Sequence, residues 1–323
     1  MPRPSVLLHQ PHLGLKMKIS LLNNDISKFS SCLVTEEARV GEISADRSAV
    51  IGRNGWCFIY EGSNNYRAGY LNKDVEGVGY EWGTLVETRR VACENLGAKF
   101  LQIIVPNKLS IQAPNFPEQL DTDLSYILQN FLSTPSASKA LVSLETFRLE
   151  SVRDAVFRRN DSHLTLGGSA LLTELVLERF GISPNGFATV VTRHTQHKGD
   201  LGGKFAPVVE ETLAVPSFGE GLLDKRNIEK VRESISPSFN GTHQVFMNLN
   251  APINAKIVVF GNSFFERVPS WGMSPFFAAL FSEFHFYWSP NVDFEYVARE
   301  KPDYIIAQTC ERFMSKLPED KHA

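Results

Sequence analysis

The sequence predicts an α/β domain built on a doubly wound parallel sheet with helices on both faces, and three observations carry that expectation. Short apolar runs bounded by turn residues recur at Phe100–Val105, Lys256–Phe260 and Tyr304–Ile306. Stretches with helical periodicity alternate with them, which is the rhythm of strand–helix–strand units. Strands that are apolar throughout must be covered on both faces, as parallel strands are. The chain of 323 residues is 43% hydrophobic and 21% charged, a globular balance with ample material for a large core.

In chain order, residues 1–45 show no sustained period and read as a lead-in, with the domain spanning 46–318. Within Val50–Tyr60, Asn54-Gly55 sits between apolar residues and predicts a tight β-hairpin whose turn needs positive φ. Residues 61–81, rich in Gly, Asn and Tyr, read as a long loop in which Tyr66, Arg67 and Tyr70 are candidate ligand contacts. A helix follows over Trp82–Leu96 with Gly97 as its stop, then a strand over Phe100–Val105 halted by Pro106-Asn107. Next come a helix over Thr122–Phe131, a strand near Ala140–Leu144 and a helix over Leu166–Phe180 closed by Gly181. Residues 185–250 break the rhythm and read as an insertion. A strand over Lys256–Phe260, a helix over Pro275–Phe284 and a last strand over Tyr304–Ile306 complete the order.

Several function classes drop out. Lys plus Arg number 33 against 36 Asp plus Glu, so the net basic field of a nucleic-acid binder is missing, and Arg89-Arg90 and Arg158-Arg159 are isolated doublets. No apolar run reaches the length of a transmembrane segment. The amino terminus lacks a continuous hydrophobic stretch of the secretory kind, which as written places the chain in the cytoplasm. Cys32, Cys57, Cys93 and Cys310 are scattered and suggest neither a disulfide framework nor a zinc knuckle. His194 and His197 are a weak metal signal and read as surface histidines; Gly199-Asp200-Leu201-Gly202-Gly203-Lys204 lacks phosphate-loop spacing and reads as a flexible loop. The expectation is no metal and no organic cofactor. Trp56, Trp82, Trp271 and Trp288 could stack on sugar rings, Trp271 having the best claim, or could belong to the core.

Two short stretches carry chemistry. Gly261-Asn262-Ser263-Phe264 follows an apolar strand, where a serine projects from the carboxyl edge of the sheet beside backbone N–H groups able to hold an oxyanion. Taken alone, such a turn is more often a plain connector. Asp161-Ser162-His163 precedes the helix that starts near Thr165. A serine hydroxyl becomes a nucleophile when a neutral imidazole takes its proton, and a carboxylate fixes that imidazole's tautomer. By itself this tripeptide also fits a helix cap with a surface histidine.

In the order Asp, His, Ser, the two stretches resemble the alginate O-acetyltransferase AlgJ/AlgX-like family, in which an Asp-x-His motif lies well before Gly-Asp-Ser-Phe. Gly52-Arg53-Asn54-Gly55-Trp56-Cys57-Phe58, Val105-Pro106-Asn107-Lys108 and Lys301-Pro302-Asp303 with Glu311-Arg312 are similar too, so the resemblance spans about residues 50–315. It implies an SGNH-hydrolase-like, flavodoxin-like fold with permuted motif order. It further implies Ser263 as nucleophile, His163 as general base and acid, and Asp161 as its orienting carboxylate. Acetyl would pass through Ser263 to a hydroxyl of a bacterial polysaccharide or glycan precursor, from a donor such as an acetylated membrane partner. Candidate oxyanion or substrate contacts are Gly261, Asn262, Asn107, Lys108, Trp271 and Arg312, the last to hold a sugar carboxylate or to pair with Glu311. Asn262 stands where the family has Asp, the segment after Lys108 differs, and no carbohydrate-binding module follows. The family setting is periplasmic. A carbohydrate acetyl esterase and a non-catalytic glycan-binding or assembly protein of the same fold are the alternatives.

Overall fold

The computed structural model describes residues 39–61, 63–71, 76–152, 156–183, 192–216, 228–266 and 272–321. Ala49–Ile51 (β1) and Cys57–Ile59 (β2) pair antiparallel, and the chain reverses through Asn54 at φ 56° and Gly55 at φ 72°. Ser63–Tyr70 forms 3-10 turns and Glu76–Asn95 is the first α-helix (α1), so the region expected as a loop over 61–81 is substantially helical. Lys99–Val105 (β3) leads into Lys108–Gln112 (α2) and Tyr126–Leu132 (α3), then Leu141–Val142 (β4), Leu144–Ser151 (α4) and Leu166–Phe180 (α5). Thr192–His197 (β5) and Glu211–Pro216 (β6) form a separate antiparallel arm. Ile228–Ser234 (β7), His243–Asn248 (β8), Ile253–Gly261 (β9), Ser274–Leu280 (α6), Phe281–Trp288 (β10), Phe294–Glu300 (α7) and Tyr304–Cys310 (β11) complete the order.

The main sheet runs β4-β3-β11-β9-β10-β8-β7. The first five strands are mutually parallel, whereas β8 pairs antiparallel with β10 and β7 antiparallel with β8. The sheet is therefore mixed, and the expectation of an all-parallel sheet is corrected at this edge. Residues 185–250 supply that edge as well as the β5–β6 arm. Most of β7 faces solvent and carries Glu229, Lys230, Arg232 and Glu233, charges that discourage pairing with another chain.

The alternation of side chains explains the two covering layers. Ile257 and Val259 of β9 and Ile306 of β11 pack with Leu172 and Val176 of α5 and Phe276 and Phe277 of α6. Val258, Phe260, Ile305 and Ala307 face the other way, onto Cys93 of α1 and Phe294 and Val297 of α7. Each large apolar side chain buried this way contributes about 1.5–3 kcal/mol. The strand β10 is the main departure from the expected elements, since Phe281–Phe284 reads as the end of a helix. The apolar run Phe276–Phe281 fits either period, and what turns the chain into a strand is the segment beyond it. There Phe284 and Phe286 face one core while His285 faces the other.

Candidate active site

The loop 157–164 is closed at its base by an antiparallel bridge between Phe157 and Leu164 and by the Arg158 N–H donating to the His163 carbonyl at 3.1 Å. Helix α5 starts immediately after it. The Thr165 hydroxyl accepts from the Gly168 N–H at 3.0 Å, and the Thr165 N–H donates to the Val156 carbonyl at 2.9 Å. At Gly168 a Cβ would stand 2.2 Å from the Val156 carbonyl oxygen, so only glycine lets the helix dock this close. Cap and contact together fix the exit direction of the loop.

Across from it, Ser263 leaves the carboxyl end of β9. The Asn262 side-chain oxygen accepts the Phe264 N–H at 3.1 Å, and the Asn262 carbonyl accepts from Phe265 and Glu266, a turn that holds Ser263 upright at the strand end. The Ser263 Oγ lies 2.8 Å from His163 Nε2, and His163 Nδ1 lies 2.7 Å from Asp161 Oδ1. With Nδ1–H donating to the carboxylate, Nε2 is an acceptor aimed at the hydroxyl, the neutral tautomer that serine activation needs. Ser263 is partly exposed and the His163 side chain retains 24% of its accessibility, so both are open to solvent.

Asp161 is buried, which on its own would raise its pKa, yet the carboxyl is held well below the usual range by hydrogen bonds from His163 and His197 and by the charge of Arg158. Its Oδ1 also accepts the His163 N–H at 2.9 Å, while Oδ2 accepts His197 Nε2–H at 2.9 Å and the Asp200 N–H at 3.3 Å. His197 thus lies against the carboxylate and is not the surface histidine expected from sequence. No local signal announces it, because its partner is on another element.

Other candidates are placed as follows. Lys108 is buried beneath the Asp–His loop, and its ammonium donates to the carbonyls of Arg158, Arg159 and Asp161 at 3.1, 2.9 and 2.8 Å, with the Trp56 and Phe58 rings at 5.7 and 5.6 Å. Burial lowers its pKa. All three donors are committed to backbone. Asn107 is likewise buried: its N–H donates to Glu311, its amide donates to the Tyr70 hydroxyl at 3.2 Å, and its Oδ1 accepts the Arg312 N–H at 3.2 Å. Glu311 accepts from Tyr70, Ser110, Asn107 and Ser125 and does not pair with Arg312, whose guanidinium lies over the Phe264 and Phe313 rings at 5.5 and 4.9 Å. Tyr70 is interior and Arg67 pairs with Glu118, which removes both from a ligand-contacting loop. The Asn262 N–H is taken by Gln308 at 3.0 Å, whereas the Ser263 N–H has no protein acceptor among the described residues. Trp271 and Cys32 lie outside the described residues, as does the side chain of Tyr66.

A cavity of about 440 Å³ adjoins the turn, lined by Gly261, Asn262, Trp288, Gln308 and Phe313. A larger one of about 750 Å³ lies along α1, away from Ser263. Trp56 and Trp82 are buried, while Trp288 is partly exposed on the smaller cavity. Two residue groups among those described could approach a metal ion: Asp161 with His163 and Asp200, and Glu283 with His285 and Glu300. In the second group the Lys256 ammonium, 2.8 Å from Glu283 and 3.8 Å from Glu300, already occupies the place a cation would take.

No protein-family model and no curated protein matches the sequence. Solved structures do match the fold. The O-acetyltransferase domain of Pseudomonas putida AlgJ aligns at TM-score 0.52 and 15% identity over 84% of this chain and 94% of that one. Bacillus cereus PatB1 with a sulfonyl adduct aligns at TM-score 0.51 and 12% identity over 84% and 97%. A DHHW family protein from Eubacterium siraeum aligns at 0.50 and 12% over 83% and 91%. The fold that the family resemblance implies is thus matched, and the chain has the fold of the AlgJ O-acetyltransferase domain.

Proposed function

We propose that this chain is an O-acetyltransferase that carries acetyl on Ser263 and delivers it to a hydroxyl of a polysaccharide or glycan. The observation that carries the reading is the end-to-end contact of Ser263 with His163 at 2.8 Å and of His163 with Asp161 at 2.7 Å. Likeness of fold to the AlgJ O-acetyltransferase domain supports the reaction class. In the first half, Ser263 Oγ bonds to the acetyl carbonyl carbon while its proton passes to His163 Nε2. The carbonyl oxygen becomes an oxyanion facing the Ser263 N–H. Collapse breaks the bond to the donor's leaving atom, which takes the proton from His163.

In the second half the acceptor hydroxyl gives its proton to His163 as its oxygen attacks the acetyl carbon, and Ser263 Oγ leaves and recovers the proton. Asp161 keeps the imidazole in the required tautomer throughout and stabilises its cation. The cavity beside Asn262, with Trp288 and Phe313 in its wall, offers apolar faces of the kind that suit sugar C–H surfaces. Incubation of the wild type and Ser263→Ala with an activated acetyl ester, read by intact mass, tests the reading. The wild type is expected to gain one acetyl group that the variant does not. Added oligosaccharides then divide transfer from hydrolysis: an acetylated sugar means transferase, free acetate alone means esterase. Absence of both adduct and turnover would point to glycan binding without chemistry.

A further inference from the structure

The Asp–His loop is gripped from outside by the arm formed by β5, β6 and the turn between them. The Glu211 carboxylate accepts the Arg159 and Asn160 N–H groups at 3.0 and 3.1 Å. Asp200 accepts the Ser162 N–H at 2.7 Å and its hydroxyl at 2.5 Å. The Leu201 and Gly202 N–H groups donate to the Asn160 carbonyl at 3.2 and 2.8 Å. Gly199, at φ 61°, passes so close that a Cβ would meet that carbonyl oxygen at 2.2 Å. Each of these contacts holds backbone or a neighbour of the Asp–His pair. Among the described side chains of the arm, His197 alone donates to the Asp161 carboxylate, on the oxygen opposite the one that faces His163.

We propose that His197 is a positioning residue for Ser263 chemistry, setting the plane and the charge of Asp161 so that His163 works as a base. This rests on the acetyltransferase reading above. The terminal torsion of an aspartate is soft, so a carboxylate held at one oxygen turns freely. Oδ1 is held by His163, and on Oδ2 the Asp200 N–H at 3.3 Å and the Arg158 guanidinium at 3.5 Å are long contacts, so the His197 contact at 2.9 Å is the short one that fixes the plane. The same donor draws charge toward Oδ2 and weakens the pull of Oδ1 on the His163 proton. Without it the imidazolium is favoured and the acidic limb of the rate profile moves to higher pH. The charged groups around the pair are Arg158 and Asp200 beside the carboxylate, Lys108 beneath the loop, Glu211 on β6, Glu266 past Ser263 and Arg312 across the Phe264 ring. They stay in place in the variants below.

Labelling of Ser263 by methanesulfonyl fluoride, followed from pH 5 to 9 in the full chain, tests the proposal without requiring the natural donor. His197→Ala is expected to slow labelling about ten- to hundredfold, the size typical of a lost outer partner, and to shift the acidic limb upward at an unchanged melting temperature. His197→Gln, whose amide can still donate, is expected within about threefold of wild type. Wild-type rate and profile in His197→Ala, or failure of His197→Gln to recover either, would overturn it. If the wild type itself is not labelled, the acetyltransferase reading fails and the positioning role is judged by proton NMR. The His163 Nδ1–H should resonate at low field, with the same shift in wild type and His197→Gln and a displaced one in His197→Ala. An unchanged shift in His197→Ala overturns the role.

Discussion

At the carboxyl edge of the sheet, Ser263, His163, Asp161 and His197 are joined end to end, and beneath α7 a second chain joins His243, Tyr296, His285 and Glu283 just as tightly. In the second, Tyr296 OH lies 2.6 Å from His285 Nδ1 and 2.9 Å from His243 Nε2, and His285 Nε2 lies 2.8 Å from Glu283. The proton inventory closes with both imidazoles neutral: His243 Nε2–H donates to Tyr296, Tyr296 to His285, and His285 to Glu283. Composition hardly separates the two chains; access does. The hydroxyl of the first opens to solvent at a strand end, whereas His285 and Tyr296 are 1% and 5% exposed among Phe260, Phe294 and Val297. The carboxylates differ as well. Asp161 is stabilised by donors converging from its own loop and the arm, while Glu283 is paired with the Lys256 ammonium. The same histidine–carboxylate pairing thus lies open to solvent at one place and is buried as a staple at the other, and only the open one is proposed as a base.

The sharpest way to break this contrast is to remove one member from each chain. His163→Ala is expected to lower ester turnover on the order of a thousandfold or more while the melting temperature stays put, and Ser263→Ala added to it should lower that turnover little further, because the two act as a unit. Tyr296→Phe should do the opposite. It leaves two buried imidazoles without their shared partner, at about 1–3 kcal/mol of stability and no change in acylation rate. Parallel ester kinetics and thermal melts read both, and a Tyr296→Phe protein that melts normally but acylates slowly would merge the two chains into one site.

A second difference is pH. Burial pushes the His243 imidazole down to about 4, and burial lowers His285 too despite Glu283. The unfolded chain binds its His243 proton near pH 6.5, so between about 6.5 and 4 the unfolded state holds more protons and stability falls as pH falls, by up to about 3 kcal/mol from this residue. Urea midpoints measured from pH 7 to 4.5 should drop accordingly and flatten in His243→Gln. An unchanged slope in that variant would assign the acid sensitivity elsewhere.

What the sequence made legible follows the range of the interactions. The turn Gly261–Phe264, the tripeptide Asp161-Ser162-His163 and the ends of α5 at Thr165 and Gly181 are built from neighbours, so their residue types announce them. The apolar strand Ile257–Phe260 is legible for the same reason. His197 and Glu211 are silent because their partners lie on the Asp–His loop, far away in sequence. Lys108 misleads in the same way: a lysine after a strand end looks available for substrate, and only the fold reveals three carbonyls waiting for its ammonium. The β10 strand was hidden by a different effect, an aromatic-rich run that satisfies both periods until the neighbouring strands choose one.

Asn262 offers the finest probe of the exposed chain. Its side-chain oxygen accepts the Phe264 N–H at 3.1 Å, a contact that an aspartate makes equally well, so Asn262→Asp preserves the turn and adds a single negative charge beside Ser263. At roughly 6 Å and an effective dielectric of about 20, that charge opposes the oxyanion by ~3 kcal/mol before screening, and solvent at this partly exposed turn reduces it. Acylation by an activated ester should therefore slow by up to roughly tenfold, less at high salt, with the melting temperature unchanged. A large gain in rate would mean that a carboxylate at this position has a role in the chemistry which the amide lacks, and that the negative field at Ser263 is not what limits oxyanion formation.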